Sequence, residues 1–201
     1  MLRNIIITGM LCLALTAGAQ DTARQEILDF QNELNKEYAD STKSPLSKAE
    51  LRQFKGHHFF DIDLAYRVTA TFKRTADAKP FKMATTRGLP RTYVKYGEAT
   101  FTLGAKTYTL CLYQNPDLAK TEQYKDYLIL PFRDLTNQSE TYGGGRYIDM
   151  KIPTGNSIVI DFNKAYNPFC AYSDLYSCPI PPQENTLDTE IKAGTKKPET
   201  H

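Results

Sequence analysis

The order of apolar and polar residues divides the chain into a helical beginning and a longer part with strand periodicity. In residues 24–40, apolar side chains recur every three or four positions, which predicts a helix carrying Ile27, Leu28, Phe30, Leu34 and Tyr38 on one stripe. In residues 47–55, Ser47 can cap a helix start and Glu50 can complete a capping box, while Gly56 is typical of a helix end. The pattern therefore predicts two short N-terminal helices.

After Gly56 the apolar period shortens to two residues. Val68, Ala70 and Phe72 alternate with polar neighbours, and similar strand patterns recur at 101–103, 108–112, 127–132, 148–152 and 158–162. Six or seven strands with one buried face predict a mainly β fold, built as an antiparallel sandwich or an open barrel-like sheet.

The last two predicted strands suggest a hairpin that turns at residues 153–155. Keeping the apolar side chains on one face requires the pairs Ile152–Asn156, Met150–Ile158, Ile148–Ile160, Tyr147–Asp161 and Gly145–Asn163. This register would join two separate motifs into one candidate site. Strict alternation also puts Arg146 on the core side, unless the glycines before it end the strand.

Residues 1–19 are typical of a secretory signal peptide. A basic residue precedes the short apolar run Ile5–Leu15, and Ala17–Ala19 offers a small-residue cleavage site. A bulky leucine precedes Cys12, which favours cleavage before Gln20 over lipid attachment. We therefore predict an exported protein, either periplasmic or secreted.

The remaining residues are enough for one domain with a substantial core. We expect a helical segment at 20–56, a β domain at 57–194 and a disordered polar tail at 195–201. The net charge of +2 is spread over both signs, without the basic stripe that nucleic-acid binding needs. No further segment is apolar enough to span a membrane, and no cofactor or metal motif is evident.

A glycine-rich motif at 143–146 is the first candidate for ligand binding. Gly143, Gly144 and Gly145 can bring backbone amides close to a ligand, and Arg146 suits a carboxylate or phosphate. The alternative is a bulge where another segment crosses closely. The motif lacks the features of a nucleotide phosphate loop.

Polar side chains at predicted strand ends complete the candidate ligand-binding site. They are Tyr147, Asp161, Asn163, Tyr166 and Asn167, with Arg133 as a second positive charge. Such residues can orient a polar ligand or serve acid–base chemistry. They can equally cap and satisfy the backbone of a buried loop.

Three cysteines follow the predicted signal peptide: Cys111, Cys170 and Cys178. An odd number leaves at least one thiol unpaired within the chain. Export favours a disulfide between Cys170 and Cys178. The alternatives are a thiol nucleophile partnered by His57 or His58, and a zinc site for which the spacing is poor.

Several long motifs occur in a fixed order: PFRDLT at 131–136, ETYGGGRYID at 140–149, IDFNKAYNPFCAYSDLYSCPIPPQENTL at 160–187 and IKAGTK at 191–196. In these motifs the chain resembles DUF1684, a bacterial family of unknown function. The resemblance covers most of the chain and implies that residues 140–194 form one unit. Because the family has both exported and cytosolic members, it also implies that the motif does more than carry a disulfide. It implies no reaction, substrate or cofactor.

These observations favour a binding module for a small polar or anionic ligand or for a partner protein. The alternative is a hydrolase-like enzyme that uses Asp161 or a pair formed by Cys170 and a histidine. A histidine or second carboxylate within hydrogen-bond reach of either residue would favour the enzyme.

Overall fold

The computed structural model describes the backbone of residues 5–198 and the side chains of residues 18–198. Its helices are α1 (Ile5–Ala39) and α2 (Lys48–Gln53). Its strands are β1 (Arg67–Arg74), β2 (Phe81–Met83), β3 (Arg91–Leu103), β4 (Lys106–Gln114), β5 (Tyr127–Phe132), β6 (Arg146–Lys151) and β7 (Ser157–Asp161).

The strands form one antiparallel sheet that curls into a half-barrel. The hydrogen-bonded order is β6-β5-β4-β3-β1-β7, and β2 pairs with β3 beside this path. The mainly β, antiparallel prediction is therefore confirmed in its open-sheet form, and the sandwich is not what the chain forms. The predicted alternation of β1 is confirmed, since Val68, Ala70 and Phe72 all belong to the core.

Both faces of the central strands are covered. One face carries the main core, in which Leu110, Leu128 and Leu130 are fully buried. The other face carries a second cluster of Met83, Tyr93, Cys111, Tyr113, Ile129, Tyr147 and Cys178. Burial on two faces explains why residues 127–132 form a continuous apolar run instead of alternating.

A bulge in β3 changes which face its side chains occupy. Lys95 pairs with Tyr113 but Gly97 pairs with Leu112, so the register shifts by one residue. Tyr93 consequently faces the second cluster, whereas Ala99 and Phe101 face the main core. A Cβ on Gly97 would lie 2.5 Å from the Phe72 ring, which explains the glycine at the bulge.

The predicted hairpin between β6 and β7 is wrong. These strands lie at opposite ends of the sheet: β6 pairs with β5, and β7 pairs with β1. Ile148 and Ile160 nevertheless both reach the main core, because the sheet curls around it. The prediction followed the usual pairing of consecutive strands. Here residues 152–156 instead join the two edge strands of the curled sheet, which do not pair with each other.

The helical part is one long helix followed by a small one, rather than two short helices. α1 is 35 residues long and buries Ala23, Ile27, Leu34 and Tyr38. α2 begins with the predicted capping box, since Ser47 and Glu50 each bond the other's backbone N–H.

The two ends of the chain lie partly outside the described residues. The predicted signal peptide includes residues 1–4 and the side chains of 5–17, which are not described; the described helix runs through the predicted cleavage point. Thr195 and Lys197, assigned by sequence to the tail, are bonded to the domain: their amides donate to Ala165 and Glu140. Residues 199–201 are outside the described part of the chain.

Candidate functional site

Arg146 belongs to the core and is not available as the predicted anion anchor. Its side chain is fully buried, and Nη2 lies 2.8 Å from the Asp134 carboxylate. The guanidinium also donates to the backbone carbonyls of Ala193 and Ile191 and lies over the Phe132 ring. Burial lowers the pKa of this guanidinium, and Asp134 opposes the shift. Asp134, which sequence reasoning missed, also accepts bonds from Thr136 and from the Ile191 amide.

The three glycines are packed against protein atoms. Gly145 has a φ of +95°, and a Cβ there would lie 2.7 Å from both Phe132 O and Pro181 Cγ. A Cβ on Gly143 or Gly144 would come within 3 Å of the Gln138 or Tyr142 side chain. This geometry matches the alternative of a close crossing rather than a backbone cradle for a ligand.

The polar residues after β7 are mostly bonded within the protein. Asp161 accepts from Arg67 at 2.9 Å and from the Asn163 amide at 3.1 Å, so it caps a short turn of 3₁₀ helix. The side-chain amide of Asn163 in turn accepts a hydrogen bond from the Asp63 amide and donates one to the Asp63 carbonyl. Asn167 is 1% exposed and donates to Lys196 O and the Tyr172 hydroxyl. These contacts correspond to the capping alternative.

The contacts of Arg133 with the segment after β7 are made by its backbone rather than by its guanidinium group. Its amide donates to Asn185 O, and its carbonyl accepts from the Leu187 amide. Its Nε is buried without a partner among the described residues, and the residue lines neither of the two cavities described below.

The two motifs do meet, through a pairing different from the predicted one. Tyr147 of β6 and Tyr166, five residues beyond β7, exchange backbone hydrogen bonds of 2.9 Å in both directions. Their rings pack edge to face, with centroids 6.0 Å apart. The hydroxyl of Tyr147 donates to Pro179 O, and that of Tyr166 donates to Asp149 at 2.6 Å. Their polar ends are thereby occupied while their rings remain available as walls.

An open cleft of about 650 Å³ lies beside these rings; we call it the tyrosine cleft. Its walls come from β5, β6, the segment after β7 and the β2–β3 connection: Arg87, Leu89, Arg91, Ile129, Tyr147, Tyr166, Pro168, Phe169, Leu175, Tyr176, Ser177, Cys178 and Pro179. Leu89 and Leu175 are 69% and 82% exposed, which is unusual for side chains of this size.

Two arginines give the tyrosine cleft a positive rim. Arg87 donates to Leu175 O at 3.1 Å, which anchors the β2–β3 connection to the opposite wall. Arg91 begins β3, and no carboxylate forms an ion pair with either arginine within the described part of the chain. The lining contains no aspartate or glutamate. Sequence reasoning missed both arginines because their own segment carries no distinctive motif.

Cys170 and Cys178 approach each other at one end of the cleft, but the predicted disulfide is not formed. Both residues and Cys111 are free thiols. The Cys170 amide donates to Cys178 Sγ at 3.3 Å, and the Tyr142 hydroxyl lies 3.8 Å from Cys170 Sγ. Hydrogen bonds from Cys178, Thr86 and Tyr142 lower the pKa of the Cys170 thiol.

The geometry gives no support to the hydrolase-like pair. His57 Nδ1 donates to Asn35 Oδ1 at 2.9 Å, and its ring packs against Tyr38, Phe54 and Tyr172. Burial lowers the pKa of His57 to about 4, so the ring is neutral at pH 7. Cys170 instead forms side-chain hydrogen bonds with Tyr142, Cys178 and Thr86. Asp161 is held by Arg67 rather than by a second acid.

A second cavity, of about 730 Å³, lies between α2 and the end of the described chain, with Arg52, Lys55 and Lys197 among its lining residues. Within residues 18–198, no three histidine, cysteine, aspartate or glutamate side chains are grouped as a metal site. No described helix has the length and apolarity needed to cross a membrane.

Comparisons with known proteins give a family and a fold but no activity. The chain is similar to an uncharacterized protein of Haloarcula marismortui solved by solution NMR, with 29% identity and a TM-score of 0.71 over 92% of this chain and 99% of that one. No curated protein matches significantly. The model of a family described as "Protein of unknown function (DUF1684)" matches residues 52–196. Because that match spans more than half of the chain, the protein belongs to the DUF1684 family.

Proposed function

We propose that the protein is a binding module for a small organic anion, held in the tyrosine cleft. The observation that carries the proposal is a rim of two arginines without partner carboxylates above a wall of aromatic rings. Guanidinium groups bind carboxylates and phosphates through paired N–H donors. The volume of the cleft also lies within the range of small-ligand sites.

The ligand class follows from the two halves of the cleft. Arg87 and Arg91 would bind the anionic group, whereas Phe169, Leu175 and Tyr176 would contact an apolar or aromatic body. Phe169 and Tyr176 pack edge to face at 5.0 Å and so form a pre-arranged apolar wall. An amphipathic carboxylate fits this division better than a sugar, which would need more polar side chains in the lining.

A panel of aliphatic and aromatic carboxylates, screened by thermal shift and then by calorimetry, tests the proposal. Arg91→Gln should raise the Kd of a bound carboxylate about 10- to 100-fold, because it removes a charge-assisted hydrogen bond. Arg52→Gln, in the other cavity, is the matched control and should leave the Kd unchanged. Binding that depends on Arg52 and not on Arg91 would reject the tyrosine cleft, and a panel without a single binder would reject the ligand class.

Export remains part of the proposal. It is supported by the charged start, apolar run and small-residue cleavage site in residues 1–19. Residues 18–22 are exposed and Ala23 is the first buried side chain of the described region. Cleavage before Gln20 would thus remove none of the described packing.

A further inference from the structure

We propose that Cys170 and Cys178 form a reversible dithiol–disulfide couple, in which Cys170 is the attacking thiol and Cys178 the resolving thiol. Cys178 also lines the tyrosine cleft, but the couple does not require a ligand to be bound there. It rests on the approach of two cysteines that are held by different parts of the fold and are free in the structure.

The two residues are already close enough to react. Cys178 Sγ lies 3.3 Å from the backbone nitrogen of Cys170. Adding one N–Cα bond of about 1.5 Å places this sulfur within about 5 Å of the Cys170 Cα. The two thiols also hydrogen-bond each other, so their sulfurs are near enough for a rotation of the side chains to bring them to S–S bonding distance.

Each cysteine is fixed by its own contacts. Cys170 lies in a turn of 3₁₀ helix, Phe169–Ala171. Cys178 is fastened to the β2–β3 connection, because its amide donates to the Thr86 hydroxyl at 3.1 Å and its carbonyl accepts from the Thr86 amide at 3.0 Å. The short distance is therefore a property of the fold rather than of a loose loop.

The surroundings assign the two roles. Cys170 is half-buried, whereas Cys178 and Cys111 are 8% and 4% exposed, so Cys170 is the thiol that an external reagent reaches. The hydrogen bond from Cys178, followed by those from Thr86 and Tyr142, favours the Cys170 thiolate, and the same contact raises the pKa of Cys178. Burial raises the pKa of Cys111 to about 11, which keeps that thiol protonated. The other charged or titratable groups near the pair are Tyr38, Arg91, Tyr93, Tyr147 and Asp174.

The oxidant class is a low-molecular-weight disulfide, R–S–S–R. The Cys170 thiolate attacks one sulfur, breaks the S–S bond and releases one thiolate, which leaves a mixed disulfide on Cys170. Cys178 then gives its proton to solvent and attacks Cys170 Sγ, releasing the second thiolate. Two electrons pass from the protein to the small disulfide, and two small thiols are formed.

The full chain, equilibrated with mixtures of reduced and oxidised glutathione and then alkylated and digested with trypsin, tests the couple. One tryptic peptide, residues 165–192, contains both cysteines, and Cys111 lies in another. We expect the first peptide to lose the mass of two hydrogens with a single midpoint. Cys178→Ser should stop at a glutathione adduct on Cys170, and Cys111→Ser should behave as the parent. A peptide that stays fully alkylated at every ratio would overturn the proposal.

The rate of iodoacetamide labelling against pH separates a reactive thiol from a structural one. Cys170 should react at least about tenfold faster than Cys111 at pH 7, because only the thiolate attacks. In Cys178→Ala, which removes the neighbouring thiol, the inflection for Cys170 should move to higher pH. Equal rates for Cys170 and Cys111, or an inflection that Cys178→Ala does not move, would show that the two cysteines are packing residues without redox function.

Discussion

At the scale of single residues, the ion pair of Arg146 and Asp134 is the central feature of the glycine-rich motif. Both side chains are inaccessible to solvent, and the guanidinium has three protein acceptors. A buried charge that loses its partner costs about 3–5 kcal/mol. Arg146→Met should therefore lower the free energy of unfolding by at least about 3 kcal/mol in urea titrations.

Arg74→Met is the matched control for Arg146→Met. Arg74 also lies over an aromatic ring, with its guanidinium carbon 3.5 Å from the centre of Tyr96, but it is exposed. Arg74→Met should therefore lower the free energy of unfolding by no more than about 1 kcal/mol. If the free energy of unfolding falls by the same small amount in both variants, Arg146 does not stabilise the core, and its structural role would be rejected.

The residue scale also explains where the structure places the predicted site residues. Asp161, Asn163 and Asn167 looked like ligand-binding groups because polar side chains at strand ends often are. A long buried loop needs the same residue types to satisfy its backbone, and local sequence does not distinguish the two uses. Tyr147 and Tyr166 do line the cleft, but Arg87 of the β2–β3 connection and Arg91 of β3, which also line it, are distant from them in sequence.

At the scale of elements, the Asn185 side chain bridges β4 and β5 where the two strands are not paired directly. Pro131 lies within β5 and has no N–H to give to its neighbour, and the two strands pair directly at Tyr113 and Ile129. Asn185 is fully buried and fills the opening: its side chain accepts from the Cys111 amide and donates to the carbonyls of Cys111 and Pro131, at 2.7–2.8 Å. The Asn185 side chain thus supplies the hydrogen bonds that direct pairing of β4 and β5 would otherwise form.

Asn185→Leu, similar in size but unable to bond, should lower the free energy of unfolding by about 3 kcal/mol or more, because three buried backbone groups lose their partner. The Cys111 amide should also lose protection in hydrogen exchange. Asn115→Leu is the control, since Asn115 bonds the amides of Asp117 and Leu118 in a surface turn. A Cys111 amide that stays protected in Asn185→Leu would show that the strands close without the asparagine.

Periodicity identified six of the seven strands, and its failures have local causes. The bulge at Gly97 moves the following residues of β3 to the other face, so residues 93–101 do not show one continuous alternation. β2 is three residues long and too short to carry a pattern. The false hairpin arose because β6 and β7 have compatible apolar faces, which is a property of the shared core and not of direct pairing.

At the scale of the whole molecule, α1 belongs to the fold although the family match begins after it. The helix buries Ile27, Leu34 and Tyr38, and Glu26 lies 3.1 Å from Arg67 on β1. The family match covers residues 52–196, whereas the structural similarity to the archaeal protein covers 92% of the chain. That coverage must include residues before 52, since only five residues follow 196. The shared structure is therefore larger than the segment that the family describes.

The position of the first buried side chain gives a prediction for the intact protein. A chain beginning at Gln20, the predicted mature form, keeps Ala23 and all later packing and should match the full chain in urea within about 0.5 kcal/mol. A chain beginning at Asp40 loses three large buried side chains of α1, each contributing about 1.5–3 kcal/mol, and should be destabilised by about 5 kcal/mol or more. N-terminal sequencing of the protein from its own host should then give Gln20. A native chain that retains residues 1–19 would reject the signal peptide, and a stable chain from Asp40 would reject α1 as part of the core.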